Sequence, residues 1–225
     1  MSTQDAAASL DLAPTQEVHL SEVEEEEAEE DTAEDLPRAR WEGSDVLSAE
    51  IQWLYDSRQI PKDVEWRRPG SEITPEPQSG EYVVFLSHFE RGFGLPTSHF
   101  MSQFLVRFGL QPHHLPANAF VSLSSFVAFV EGYLGLWPSV DLWTKFFVFR
   151  RQVLPNTKKT SSAEREMTQC GAATINPRRG SILPRVKGLD SCKMWQKTFF
   201  YVRNTTAENL IGLPAFVIGP LTQLN

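Results

Sequence analysis

The stretch AFVSLSSFVAFVEGYLGLW, residues 119–137, limits this chain more than any other feature: nineteen residues with one charge. A bilayer crossing needs about 20 apolar residues, so a span is within reach. Glu131, three serines and two glycines lie inside the run, however. A charge near the centre of such a helix costs about 2.5–3.5 kcal/mol on insertion scales. The run is therefore expected to form a helix buried among other helices, with no membrane partner.

Charge divides the chain into unlike parts. Residues 1–37 hold thirteen acidic residues and no Lys or Arg, with the run EVEEEEAEED at 22–31. So little apolar surface against so much charge cannot offset the entropy of ordering, so 1–37 is expected to be a disordered acidic tail. With those thirteen set aside, 16 of the 29 acidic residues remain against 21 basic ones, and the net of −8 becomes +5 for the body. No basic stretch followed by an apolar run opens the sequence, so no secretory signal is read. Cys170 and Cys192 are the two cysteines, too few for a disulfide framework. An intracellular, reducing location is expected.

Periodicity outlines the body. SDVLSAEIQWLYDSRQIP (44–61) spaces Val46, Leu47, Ile51, Leu54 and Tyr55 as a helix, with Ser44 or Asp45 as cap and Pro61 as stop. PGSEITPEPQSG (69–80) reads as an extended loop. EYVVFLSHF (81–89) is rich in β-branched and aromatic residues and reads as a buried strand. In TSHFMSQFLVRFGL (97–110), Thr97 or Ser98 caps a helix that places Phe100, Phe104, Leu105 and Phe108 on one face, and Gly109 ends it. A helix at about 118–134 is expected to bury Phe120, Leu123, Val127, Val130 and Leu134. A third follows Pro138, capped by Ser139, with Asp141 in its first turn and LWTKFFVF apolar on nearly every side.

From residue 150 the texture changes. Residues 151–169 read as a polar linker. The remainder, 170–225, alternates short apolar runs with Gly and Pro, which suits antiparallel strands. Between 150 and 203 there are twelve basic and three acidic residues. The expected fold is α+β: a mainly helical core over 38–150, a small C-terminal antiparallel β-sheet, and the disordered acidic N-terminal tail.

Several chemistries leave no trace. SHFERGFGLPTSHF (87–100) carries Gly92 and Gly94 but neither a third glycine nor a lysine, so it reads as a tight strand-to-helix turn rather than a phosphate loop. His88, His99, His113 and His114 read as polar loop residues, because zinc sites announce themselves by two close ligand pairs. Asp141, Glu164, Glu166 and Asp190 do not form the carboxylate set that two-metal chemistry needs. No nucleophile elbow is present. No catalytic residue, metal ligand or cofactor is assigned.

The richest chemical pattern is WQKTFFYVRN, 195–204. Read as one strand with period two, Trp195, Lys197, Phe199, Tyr201 and Arg203 share a face. Aromatics interleaved with cations suit stacking and phosphate contact in a single-strand nucleic-acid binder. Arg178, Arg179, Arg185, Lys187 and Lys193 in the preceding turns complete the candidate surface. The competing reading is an ordinary strand with core aromatics and snorkelling cations.

The blocks FLSHFERGFGLPTSHF, FGLQPHHLPANAF, FVEGYLGLWPSVDLW, CGAATINPRRG and WQKTFFYVRN together resemble the plant domain named "transposase (putative), gypsy type", over roughly residues 45–217. The resemblance implies a protein derived from a Gypsy-type transposable element, with no set of catalytic residues to carry over. The physical reading of the residues, a helical domain with a basic third, fits a Gag-like or accessory, non-catalytic role in which the basic surface holds nucleic acid. The alternatives are a metal-dependent transposase or integrase, and a self-associating protein-interaction module. The chain stops soon after the domain, so a fragment or a degenerate copy is also expected.

Overall fold

The computed structural model describes residues 41–151, 170–171, 173–181, 190–204 and 211–217. The expected tail at 1–37 and the linker beyond Arg151 lie outside the described residues. All the described residues fall within one compact unit, Pro37–Asn225.

The architecture is α+β. Helix α1 (Ser48–Asp56) is followed by strands β1 (Val64–Arg67) and β2 (Glu81–Phe85), then by helices α2 (Leu86–Phe89), α3 (His99–Arg107), α4 (Ala117–Gly132) and α5 (Val140–Phe146). Strands β3 (Phe147–Arg151), β4 (Ala173–Pro177) and β5 (Phe199–Asn204) complete it. One sheet has the order β1-β5-β2 and the other pairs β3 with β4, all antiparallel.

β5 is thus the central strand between two strands contributed by the N-terminal half. Val84 opposes Phe200 and Val83 opposes Tyr201. Because side chains alternate along a strand, the sheet feeds two cores. Val64, Val84, Phe200 and Val202 join the main core with α1, α3 and α4. Val83, Phe85, Phe199 and Tyr201 join a second cluster with Trp41, Cys170 and Trp195. A strand covered on both faces reads as continuously apolar, as FFYV does.

The helices follow their caps. Ser98 accepts from the Met101 N–H at 3.2 Å, and Ser139 accepts from the Leu142 N–H at 3.2 Å, as their positions require. α1 starts later than expected. Ser44 is taken up by the sheet, its hydroxyl donating to the Phe199 carbonyl at 2.6 Å, and Glu50 instead accepts from the Leu47 N–H at 2.7 Å.

Three further boundaries differ from the sequence reading, each because a partner decides it. β2 stops at Phe85, which lies opposite the first residue of β5; beyond it no strand is available and the chain coils into α2. The helix after Pro138 ends at Phe146, and Phe147–Arg151 pairs with β4, where aromatic and β-branched residues are favoured. The expected strand over 195–204 is a 3-10 turn at Trp195–Thr198, closed by the Thr198 hydroxyl donating to the Trp195 carbonyl at 2.7 Å, and a strand only from Phe199.

Candidate functional site

The C-terminal residues chosen from the sequence divide between core and surface. Trp195 is 2% exposed, and Phe199 and Tyr201 are buried beside it. The Tyr201 hydroxyl donates to Glu72 at 2.9 Å and accepts from the Glu76 N–H at 2.8 Å, and burial raises its pKa. Arg67 lies 4.0 Å over the Tyr201 ring while its guanidinium donates twice to Glu81, at 2.9 and 2.7 Å. These rings present no open face to a base. The shared aromatic and cationic face is corrected on this point: its aromatics belong to the core.

The cations are anchored at separate places. Lys197 binds the Glu42 carboxylate at 2.9 Å, which raises its pKa, and lies 3.9 Å from Asp45. Arg203 binds Glu65 at 2.6 Å. Arg178 donates from its backbone to the Phe146 carbonyl and from Nε to the Thr144 carbonyl, both at 2.7 Å, at the junction of α5 and β3. Arg179 and Lys193 are exposed. Arg185 and Lys187 lie outside the described residues. Lys145, exposed on α5 next to the Thr144 carbonyl that Arg178 binds, and Arg150, exposed further along β3 opposite Thr174, are additional cations that the sequence reading does not single out.

The glycine stretch around residue 92 has a packing role. Gly92 adopts φ +90°, and a Cβ there would collide with the Ser124 side chain of α4. The Ser124 hydroxyl donates to the Gly92 carbonyl at 3.0 Å and to the Phe120 carbonyl at 2.7 Å, while Phe93 and Leu95 turn inward. The loop after α2 is thereby held against α4.

Three of the four histidines are interior rather than loop residues. His88 stacks on Phe120 at 4.1 Å between ring centroids, and His113 packs 5.6 Å from Trp41. His114 is buried beside His113, whereas His99 is exposed. Burial holds the His88 imidazole well below the ordinary range, with the Leu115 backbone opposing and Arg91 reinforcing. Burial does the same to His113, helped by His114 and His88. Among the described residues, no three His, Cys, Asp or Glu side chains are placed to share a metal ion. No described helix is long and apolar enough to cross a membrane.

The exposed feature that sequence reading missed is the turn after α4. Tyr133 is 84% and Trp137 90% exposed, and Leu134 and Leu136 are exposed between them. Leu134 had been expected in the core. The backbone is nonetheless pinned: the Tyr133 N–H donates to Phe129 at 2.9 Å and the Leu136 N–H to Val130 at 3.1 Å. Gly135 takes φ +61° to complete the turn. The available signal was GYLGLWP itself, because Gly132, Gly135 and Pro138 mark a turn and not the end of a buried helix. An open groove of about 730 Å³ lies between the outer face of α3 and the first turn of α5, whose first lining residue, Ser139, follows Trp137 by two positions. Val106 stands 75% exposed on its edge.

Residues 83–151 match a family model described as "putative gypsy type transposon". The matched segment runs from within β2 to the end of β3 and includes the turn and the groove. No curated protein and no solved structure matches the chain.

Proposed function

We propose that this transposable-element-derived chain, which carries the gypsy-type domain at residues 83–151, is a non-catalytic accessory protein that works through protein contact. The observation that carries this reading is the exposed apolar turn Tyr133–Trp137. Large apolar residues clustered on a pinned backbone mark an interaction surface, whereas singly scattered ones do not. Tyr and Trp are also the residue types that anchor protein interfaces. The test compares proteins recovered with the full chain and with a Tyr133→Ser, Leu136→Ser, Trp137→Ser variant of equal thermal stability. Loss of the recovered set supports the reading; an unchanged set overturns it.

A second reading is favoured by the exposed cations Lys145, Arg150, Arg178 and Arg179 around β3 and β4. They support contact with nucleic-acid phosphates, with no contribution from base stacking on Trp195, Phe199 or Tyr201. Such binding would be insensitive to sequence and steeply dependent on salt.

A further inference from the structure

We propose that the partner is a second copy of this chain, held by a two-fold interface in which the turn Tyr133–Trp137 of each copy enters the α3–α5 groove of the other. The inference rests on the contact-surface reading above and names its occupant.

An isologous interface needs a projecting element and its receptor on one patch of the same chain. Both are present. The receptor is lined by Ser102, Gln103, Val106 and Arg107, at helical spacing along the outer face of α3, and by Ser139 and Asp141 at the start of α5. The projecting Trp137 lies two residues before Ser139, so Pro138 alone separates it from the groove wall. At 90% exposure, Trp137 is not seated in the groove of its own chain.

Area and charge point to the same partner. Tyr133 and Trp137 can each bury about 150–250 Å², and with Leu134, Leu136 and Val106 they approach the ~800 Å² per partner of a standard interface. Glu131, exposed just before the turn, supplies an acid for the Arg107 that edges the groove of the opposite copy. The backbone bonds that pin the turn reduce the ordering cost of association.

Sedimentation of the full chain from about 1 to 100 µM should show a concentration-dependent dimer. Trp137→Ala removes the projecting group and Val106→Glu blocks the groove. Both positions are exposed, so the thermal midpoint should hold. Each should weaken the dimer at least about 30-fold, the loss typical of a central aromatic anchor. A mixture of the two variants should associate more tightly than either alone, because each mixed pair keeps one intact turn-in-groove contact. A mixture no tighter than its components overturns the pairing. A wild-type chain that stays monomeric overturns the inference: if it still recovers proteins through the turn, the contact-surface reading stands, and if it recovers none, that reading falls too.

Discussion

Two stretches of this chain are alike in composition and opposite in fate. YLGLW at 133–137 and WQKTFFYV at 195–202 are both short and rich in aromatic residues. Yet Trp137 is 90% exposed and Trp195 is 2% exposed. The difference is topological. The second stretch runs into the middle strand of a three-stranded sheet, where both faces are covered by separate cores. The first caps a helix end, where Phe129 stacks on Tyr133 at 5.5 Å between ring centroids but leaves the turn exposed. Hydrophobic burial favours covering both stretches, but covering needs a neighbour within reach.

The largest expected effect tests that contrast directly. Trp195→Ala should lower unfolding stability by about 3–5 kcal/mol, the cost of emptying a large buried site. Trp137→Ala, measured where the chain is monomeric, should change it by less than about 0.5 kcal/mol. Urea midpoints at constant slope are the measurement. Comparable losses for the two would break the comparison, because they would place Trp137 in the folded core.

Next in size is Tyr201→Phe. The ring stays in the second core, but the bonds to Glu72 and to the Glu76 N–H are lost. A hydrogen bond to a charged partner contributes about 1.5–3 kcal/mol, so the loss should fall in that range. These bonds join β5 to the extended loop before β2. A loss near zero would mean that the loop is held without them.

How far the fold could be read in advance follows the range of the forces involved. α3 and α4 were legible because a 3.6-residue apolar period and local caps such as Ser98 are written within one segment. β2 was legible as apolar and β-branched, but its end at Phe85 is set by Phe199, more than a hundred residues away. β1 went unread because four residues between prolines carry too little pattern; only pairing with β5 makes VEWR a strand. The candidate surface failed for the same reason. A period of two places Phe199 and Tyr201 on one face, but nothing local states that Trp41, Cys170 and Phe85 cover it. Interior histidines are equally silent, since His88 owes its burial to Phe120 and Trp195.

The buried histidines add a dependence that the exposed turn does not share. His88 and His113 are held neutral in the folded state, their pKa values lowered by burial. In the unfolded chain they return to about 6.5 and bind protons that the folded chain does not. Their contribution is therefore intact above about pH 6.5 and is lost as pH falls below it. The loss is at most about 1.4 kcal/mol per pH unit for each residue. Urea midpoints between pH 5 and 8 should show this slope, and His88→Phe should reduce it. An unchanged slope would assign the acid sensitivity to other groups. Trp137→Ala should leave the slope untouched.

The smallest effect bears on the cations and separates them by their anchoring. Lys197 and Arg203 are committed to Glu42 and Glu65, so a phosphate would have to displace a carboxylate already within hydrogen-bond distance. Arg178 and Arg179 extend from the end of β4 with Lys145 close by on α5 and Arg150 further along β3, and Arg178 donates its backbone N–H and Nε to neighbouring carbonyls rather than to a carboxylate. If single-stranded nucleic acid binds, the slope of log K against log salt should shrink by about 0.7 for each phosphate contact removed. Arg178→Ala with Arg179→Ala should remove more of that slope than Lys197→Ala with Arg203→Ala. The reverse order would place the phosphate path along β5 and return the C-terminal strand to the working surface. Equal, negligible changes would leave the apolar turn as the surface through which this domain acts.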